Sequence, residues 1–415
     1  MVRHFIETNT ITPKNNSSKT PHLRGFFIFD TMRNTVALII CLILLVGCSF
    51  NPDPIRSAFK EDDFLRSIVK DKDNYEIQIL YTEVSKNSIG QSEFSDFQFQ
   101  LNDEKYFYPA STIKLPIAVM ALSKINELRA KGSTISPKSK IKLSLINNNQ
   151  EIILKDSITS FQNLIADVFL VSDNSASNVL IDFIGYNYFN SSMSNSGFEN
   201  TYLNHKFNPD PFVDSTWVIS TLDNEIISSN ANQITVLASS NISNLKKGEK
   251  RFIDGEIKNE SLDFSSKNRS SLTDMHNIIK NLIYPEISFS KFNLNVEDYD
   301  FLRYWMSRFT YEDLGAKYIG DAKFFNSYNK FFIHGTDTIL NNTDIRVYNK
   351  IGQAYGTSTD SGYIKNYKED VEFFLTATIY TNKNKIINDN IYEYGETAIP
   401  FLSRLSKALY KNLLD

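Results

Sequence analysis

Tyr108-Pro109-Ala110-Ser111-Thr112-Ile113-Lys114 is the stretch at which the pattern of this chain changes. Before it, Asp62 to Asp71 carries Phe64, Ile68 and Val69 at helical spacing, and the alternating run Tyr75 to Tyr81 predicts a strand. A second strand is expected over Phe97 to Leu101, with turn chemistry at Asn102-Asp103. After it, from Thr112 to about Ala130, Ile113, Leu115, Ile117, Ala118, Met120, Leu122 and Ile125 crowd into one apolar helix. Pro116 falls in the opening of that helix, where a missing N–H is tolerated.

Further helices are expected at Ser160 to Leu170, Ser175 to Ile184, Leu272 to Leu282 and Val296 to Phe309. Strand patterns return at Ile345 to Lys350, Ser361 to Ile364 and Glu372 to Tyr380, and an amphipathic helix closes the chain from about Tyr394 to Leu414. Strands at both ends with helices between predict an α+β fold. The terminal strands pair into one antiparallel sheet flanked by helices, and the middle forms an all-α lobe. Tyr186 to Ser271 is rich in Asn and Ser and shows no clear period.

The 415 residues are 41% hydrophobic and 13% aromatic, enough to fill a substantial core. A formal charge of −4 offers no basic field for a nucleic acid. Arg33 precedes an apolar run from Val36 to Val46 that ends Leu45-Val46-Gly47-Cys48, the layout of a secretory leader. As a membrane span it is too short to cross comfortably. The tetrapeptide resembles a bacterial lipobox, which makes Cys48 the lipidated first mature residue and the membrane anchor. The mostly polar stretch 1–31 is consistent with initiation at Met32. The other cysteine, Cys41, lies inside the leader, so no disulfide or cysteine metal site is expected in the mature chain.

These boundaries give an N-terminal extension and signal peptide over residues 1–48, a tether over 49–60, and one domain over 61–415. Its α/β lobe is expected from 61–110 and 340–415, and its helical lobe from 111–339.

At a helix start, residues i and i+3 share a face, so Ser111 and Lys114 bring a hydroxyl beside an amine. The first helical N–H groups lie where an oxyanion could form. An amine with its pKa lowered by burial can take the serine proton. Ser57/Lys60, Ser139/Lys142, Ser243/Lys246, Ser288/Lys291 and Ser327/Lys330 share the spacing. Ser111 is singled out by its context, a proline-led turn running into a buried helix. Ser172-Asp173-Asn174 follows the apolar Ile165 to Val171 and, taken alone, is an ordinary helix N-cap. Asn349-Lys350-Ile351-Gly352 is, taken alone, a strand end before a Gly-containing turn. A lysine there can attract an acid group while Gly352 lets a substrate lie against the backbone.

In this order the three elements resemble the Ser-x-x-Lys, Ser-Asp-Asn and Lys-Thr-Gly set of class A β-lactamases and penicillin-binding proteins. The resemblance spans most of 61–415 and includes Asp274-Met275, Phe301 to Met306 and Phe373 to Tyr380. It implies the two-lobed β-lactamase/transpeptidase fold and an acyl-enzyme on Ser111. Lys114 becomes the proton acceptor, Ser172 the shuttle to the leaving group, and Asn174 a contact to Lys114 and the substrate amide. Lys350 would attract the substrate carboxylate, and the N–H groups of Ser111 and Gln353 would form the oxyanion hole. No metal or cofactor is implied, and the five histidines are scattered. The expected partner is a β-lactam or a peptidoglycan-derived peptide, met by a monomer lipid-anchored in a bacterial cell envelope.

Two departures shape the expectation. Ile351 stands where the family carries Thr or Ser. The Glu-x-x-Leu-Asn pattern that supplies class A enzymes with a base for the hydrolytic water is missing, and Asp210, Asp214 and Glu225 are the acids available in its place. Three outcomes stay open: a β-lactamase, a penicillin-binding peptidase or esterase that deacylates slowly, and a non-catalytic envelope lipoprotein on the same scaffold.

Overall fold

The computed structural model describes residues 53–147, 150–228, 240–287, 292–312, 317–337 and 344–414. The leader and Cys48 lie outside the described residues. In chain order the elements that frame the site are helices α1 (Pro54–Glu61) and α2 (Asp63–Val69), strands β1 (Gln78–Lys86) and β2 (Ser92–Phe99), and helix α3 (Lys114–Ala130). They continue with β3 (Lys140–Asn147), β4 (Gln150–Ser160), α4 (Phe161–Leu170), α5 (Asn174–Ile184), α6 (Tyr186–Asn195) and β5 (Thr216–Thr221). Four short strands follow, β6 (Lys246–Lys247), β7 (Lys250–Ile253), β8 (Glu256–Lys258) and β9 (Leu262–Asp263). The chain ends with α7 (Leu272–Ile283), α8 (Val296–Ser307), β10 (Ile345–Ala354), β11 (Thr357–Asn366), β12 (Val371–Tyr380), β13 (Ile386–Ile387) and α9 (Ile399–Asn412).

Terminal strands pair as expected, in a five-stranded antiparallel sheet of order β10-β11-β12-β1-β2. The period-two pattern of β12 explains why both its faces are covered. Phe373, Leu375, Ala377 and Ile379 pack with Ile55, Leu65, Phe401, Leu402 and Leu405 of the terminal helices. On the opposite face Phe374 joins the core of the helical lobe, and Thr376 bonds Ser361 (2.8 Å) and His276 (3.1 Å). Helix α3 buries Leu115 through Ser123 without a break, so it has no solvent face for about two and a half turns and acts as the axis of that lobe.

Two expectations are corrected. The tether over 49–60 gives way at Asp53 to a helix, and the compact unit begins there. Asp53 caps α1 through Ile55 N (3.0 Å), Pro54 sits at the helix start, and Ile55, Ala58 and Phe59 form a buried stripe at i, i+3 and i+4. The lobe over 111–339 is also not all-α. It carries a three-stranded antiparallel sheet of order β4-β3-β5. Alternation in Ile141, Leu143 and Leu145 lays two of them, Ile141 and Leu145, into the core beside Trp217 and Ile219 of β5.

Candidate active site

Ser111 sits on the short turn Ala110–Ile113 that feeds α3. Ala110 adopts a left-handed φ of 49°, uncommon for a residue with a Cβ, and Thr112 closes the turn through its N (3.1 Å) and Oγ1 (2.6 Å) on Pro109 O. Strand β10 runs flush against this turn. A Cβ built on Gly352 would lie 2.5 Å from Pro109 O and 2.8 Å from Thr112 N, so close backbone approach is what requires glycine there.

One turn along α3, Lys114 is 0% exposed. Its Nζ donates to Ser172 O (2.6 Å), Asn174 Oδ1 (2.6 Å) and Asp173 O (3.3 Å), and lies 4.7 Å from the centre of the Phe207 ring. Burial, reinforced by the charge of Lys350 and opposed by Asp173, holds this amine well below the usual lysine range. Ser172 has a φ of 56°, which turns its carbonyl onto Lys114. Asp173 caps α5 through Ala176 N (2.7 Å). The cap reading and the Lys114 contact both hold, on neighbouring residues of one motif.

From the other side, Lys350 Nζ donates to Ser172 Oγ (2.9 Å) and Ile351 O (2.9 Å). Lys350 is 2% exposed, and burial lowers its pKa to about 7 against the pull of Asp360. Behind it lies a buried network that sequence reasoning missed. Asp360 accepts from Phe331 N, Phe332 N and Asn349 Nδ2, and Asn349 Oδ1 accepts from Lys330 Nζ (2.8 Å). Burial raises the Asp360 carboxyl and lowers the Lys330 amine. The one available signal was Asn349 directly before Lys350.

Ser111, Ser172, Asn174, Gly352 and Gln353 line one cleft of about 660 Å³. Lys114 and Lys350 lie behind its wall, so Ser172 stands between the two lysines. Gln353 Nε2 donates to Ser358 Oγ (3.1 Å). Among the described residues lining the cleft none is a carboxylate. Asp210 is turned away, accepting from Asn178 Nδ2 (2.6 Å), Ser175 Oγ (2.8 Å) and Phe212 N (3.1 Å), which fastens the loop to α5. Asp214 lines an adjoining cavity of about 480 Å³ and not the cleft itself, and Glu225 is exposed beyond β5. None of the three expected acids meets Ser111 across the cleft.

The chain belongs to the beta-lactamase enzyme family, whose model matches residues 63–413. Among solved structures it is similar to PBP-A, with 13% identity over 88% of this chain and 97% of that one and a TM-score of 0.50. It is also similar to a beta-lactamase from Sphaerobacter thermophilus DSM 20745 (12% identity, 86% and 94% of the two chains, TM-score 0.46). A third is a beta lactamase from Xanthomonas campestris pv. campestris str. ATCC 33913 (14%, 86% and 97%, 0.48). At these identities the likeness speaks to fold alone. No curated protein matches the chain.

Proposed function

We propose that this member of the beta-lactamase family is a serine hydrolase that opens a β-lactam, or cleaves a related amide, through an acyl-Ser111 intermediate that it releases slowly. The carrying observation is the position of Ser172, whose carbonyl accepts from Lys114 and whose hydroxyl accepts from Lys350. In this reading Lys114, kept toward the neutral amine by burial, takes the Ser111 proton as Oγ attacks the carbonyl carbon. The N–H groups of Ser111 and Gln353 hold the oxyanion. Ser172 gives its proton to the leaving nitrogen and is resupplied by the Lys350 ammonium, and Asn174 orients Lys114 and the substrate amide.

Release then needs a water and a base for it. The cleft wall offers no carboxylate among the described residues, which supports a long-lived acyl-enzyme, the behaviour of a penicillin-binding enzyme rather than a rapid β-lactamase. Every group in the scheme comes from one chain, so a monomer suffices and no cofactor enters. The leader-like run ending in Cys48 supports a place in a bacterial envelope, lipid-anchored through that cysteine.

Labelling with a fluorescent penicillin, followed by a chase with unlabelled compound, tests the proposal. Label that persists and is lost in Ser111→Ala is expected. Rapid loss in the chase would make it a β-lactamase, and label that survives Ser111→Ala would overturn the serine mechanism.

A further inference from the structure

The cleft carries one cation more than the acylation scheme uses. Lys114 and Lys350 are buried, and their Nζ atoms are taken up by Ser172 and its neighbours. Lys206 lines the cleft, but its Nζ is 2.7 Å from Asp182 Oδ2 and 2.6 Å from Ser215 O, so its charge is matched. Lys267 differs. It is half-buried, lines both the cleft of Ser111 and the adjoining 480 Å³ cavity, and its ammonium has no ion-pair or hydrogen-bond partner among the described residues.

Its backbone is firmly placed. Lys267 N donates to Phe264 O (3.0 Å), and Asn204 Nδ2 donates to Lys267 O (3.0 Å). Next to it, Asn268 Oδ1 accepts from Asn204 N (2.7 Å) and His205 N (3.0 Å). The backbone thus roots an unmatched lysine where two cavities meet: the Ser111 cleft has no carboxylate among its described lining residues, and in the other cavity Asp182 is paired with Lys206 while Asp214 lines the wall. Partial dehydration makes such a charge count for more than one in open water. Lysine offers it as a point charge on a flexible stem, suited to an anion whose position varies between substrates.

We infer that Lys267 is a specificity-determining residue, which receives an anionic group of the carboxylate class on the substrate and selects anionic acyl donors over neutral ones. The inference rests on the acyl-Ser111 reading above. It adds a second cation, Lys267 on the cleft wall, to the carboxylate contact expected of Lys350.

The test compares acylation of the full chain by a fluorescent penicillin with a free carboxylate and by its methyl ester, in the wild type, Lys267→Gln, Lys267→Arg and Lys267→Glu. Labelling of Ser111 by a neutral fluorophosphonate confirms that each variant is folded. Lys267→Gln is expected to lower the second-order rate for the free acid about tenfold and to leave the ester rate nearly unchanged. Arginine should restore the preference, glutamate should deepen the loss, and added salt should weaken the wild-type preference. Unchanged rates in Lys267→Gln, or an equal fall for both probes, overturn the role of Lys267 while leaving acyl-Ser111 intact. A wild type that neither penicillin labels overturns the acyl-Ser111 reading and this one with it.

Discussion

Lys350 Nζ stands 2.9 Å from Ser172 Oγ, so the third motif reaches the second through a single hydrogen bond. With its pKa lowered to about 7, Lys350 is an ammonium donor below that pH and a neutral amine above it. Lys350→Met keeps the length and apolar stem but removes the donor. Acylation of Ser111 is expected to slow about a hundredfold. The wild-type rate should also show a falling limb near pH 7 that the variant lacks, read from second-order labelling rates across pH, with the thermal midpoint as a check on folding.

Legibility tracked contiguity. Ser111 and Lys114, Ser172 to Asn174 and Lys350 to Gly352 are each compact in sequence, so spacing alone could propose them. The pairing of Asn349 with Asp360 and Lys330 could not be read, because it arises only when β10 lies beside β11 and the Phe331 turn folds over both. Gly352 was legible as a site of close approach, but its contact with the Ser111 turn was not. Strand β3 was missed because Lys140 to Ile146 mixes charges with its alternation and its partner β5 comes only after three helices. Helix α1 was missed because Pro52 and Pro54 read as linker chemistry until the buried stripe beside them is known.

That helix yields a direct test of where the folded unit starts. Phe59 is 6% exposed and meets Phe99 edge-on at 5.0 Å. Phe59→Ala is expected to cost about 3 kcal/mol by denaturant unfolding, as for other buried phenylalanines. A residue in a solvated tether would cost about 0.5 kcal/mol or less.

His276 makes stability depend on acid. It lies between Thr82 (2.8 Å) and Thr376 (3.1 Å), and burial lowers its pKa from 6.5 to about 3. Between those values the unfolded chain binds a proton that the native state refuses, so this group removes stability as pH falls through 6.5. Asp274, raised to about 6, acts in the opposite sense, which is why the comparison must be between variants. From pH 6.5 to 4.5 the wild type should lose about 2 kcal/mol more than His276→Gln. Unfolding curves at the two pH values read the difference directly.

The proposed slow release is testable at Asn208. This exposed residue lines the cleft between Phe207, whose ring covers Lys114, and Pro209, whose carbonyl accepts from Asn174 Nδ2 (3.2 Å). The loop that carries it is anchored to α5 by the Asn178 bonds to Phe207 N (2.8 Å) and Phe207 O (3.0 Å), so a side chain placed here lines the same cleft as Ser111 on an anchored loop. Asn208→Asp changes an amide to a carboxylate of nearly the same shape, and Asn208→Glu extends it by one methylene. Either supplies the missing proton acceptor for a water without touching Ser111, Lys114 or Ser172. The lifetime of the penicillin label is expected to fall about a hundredfold in the better of the two, with the acylation rate changed little. If both variants hold the label as long as the wild type does, a carboxylate at this wall is not what release lacks, and exclusion of water from the acyl-enzyme becomes the explanation to pursue.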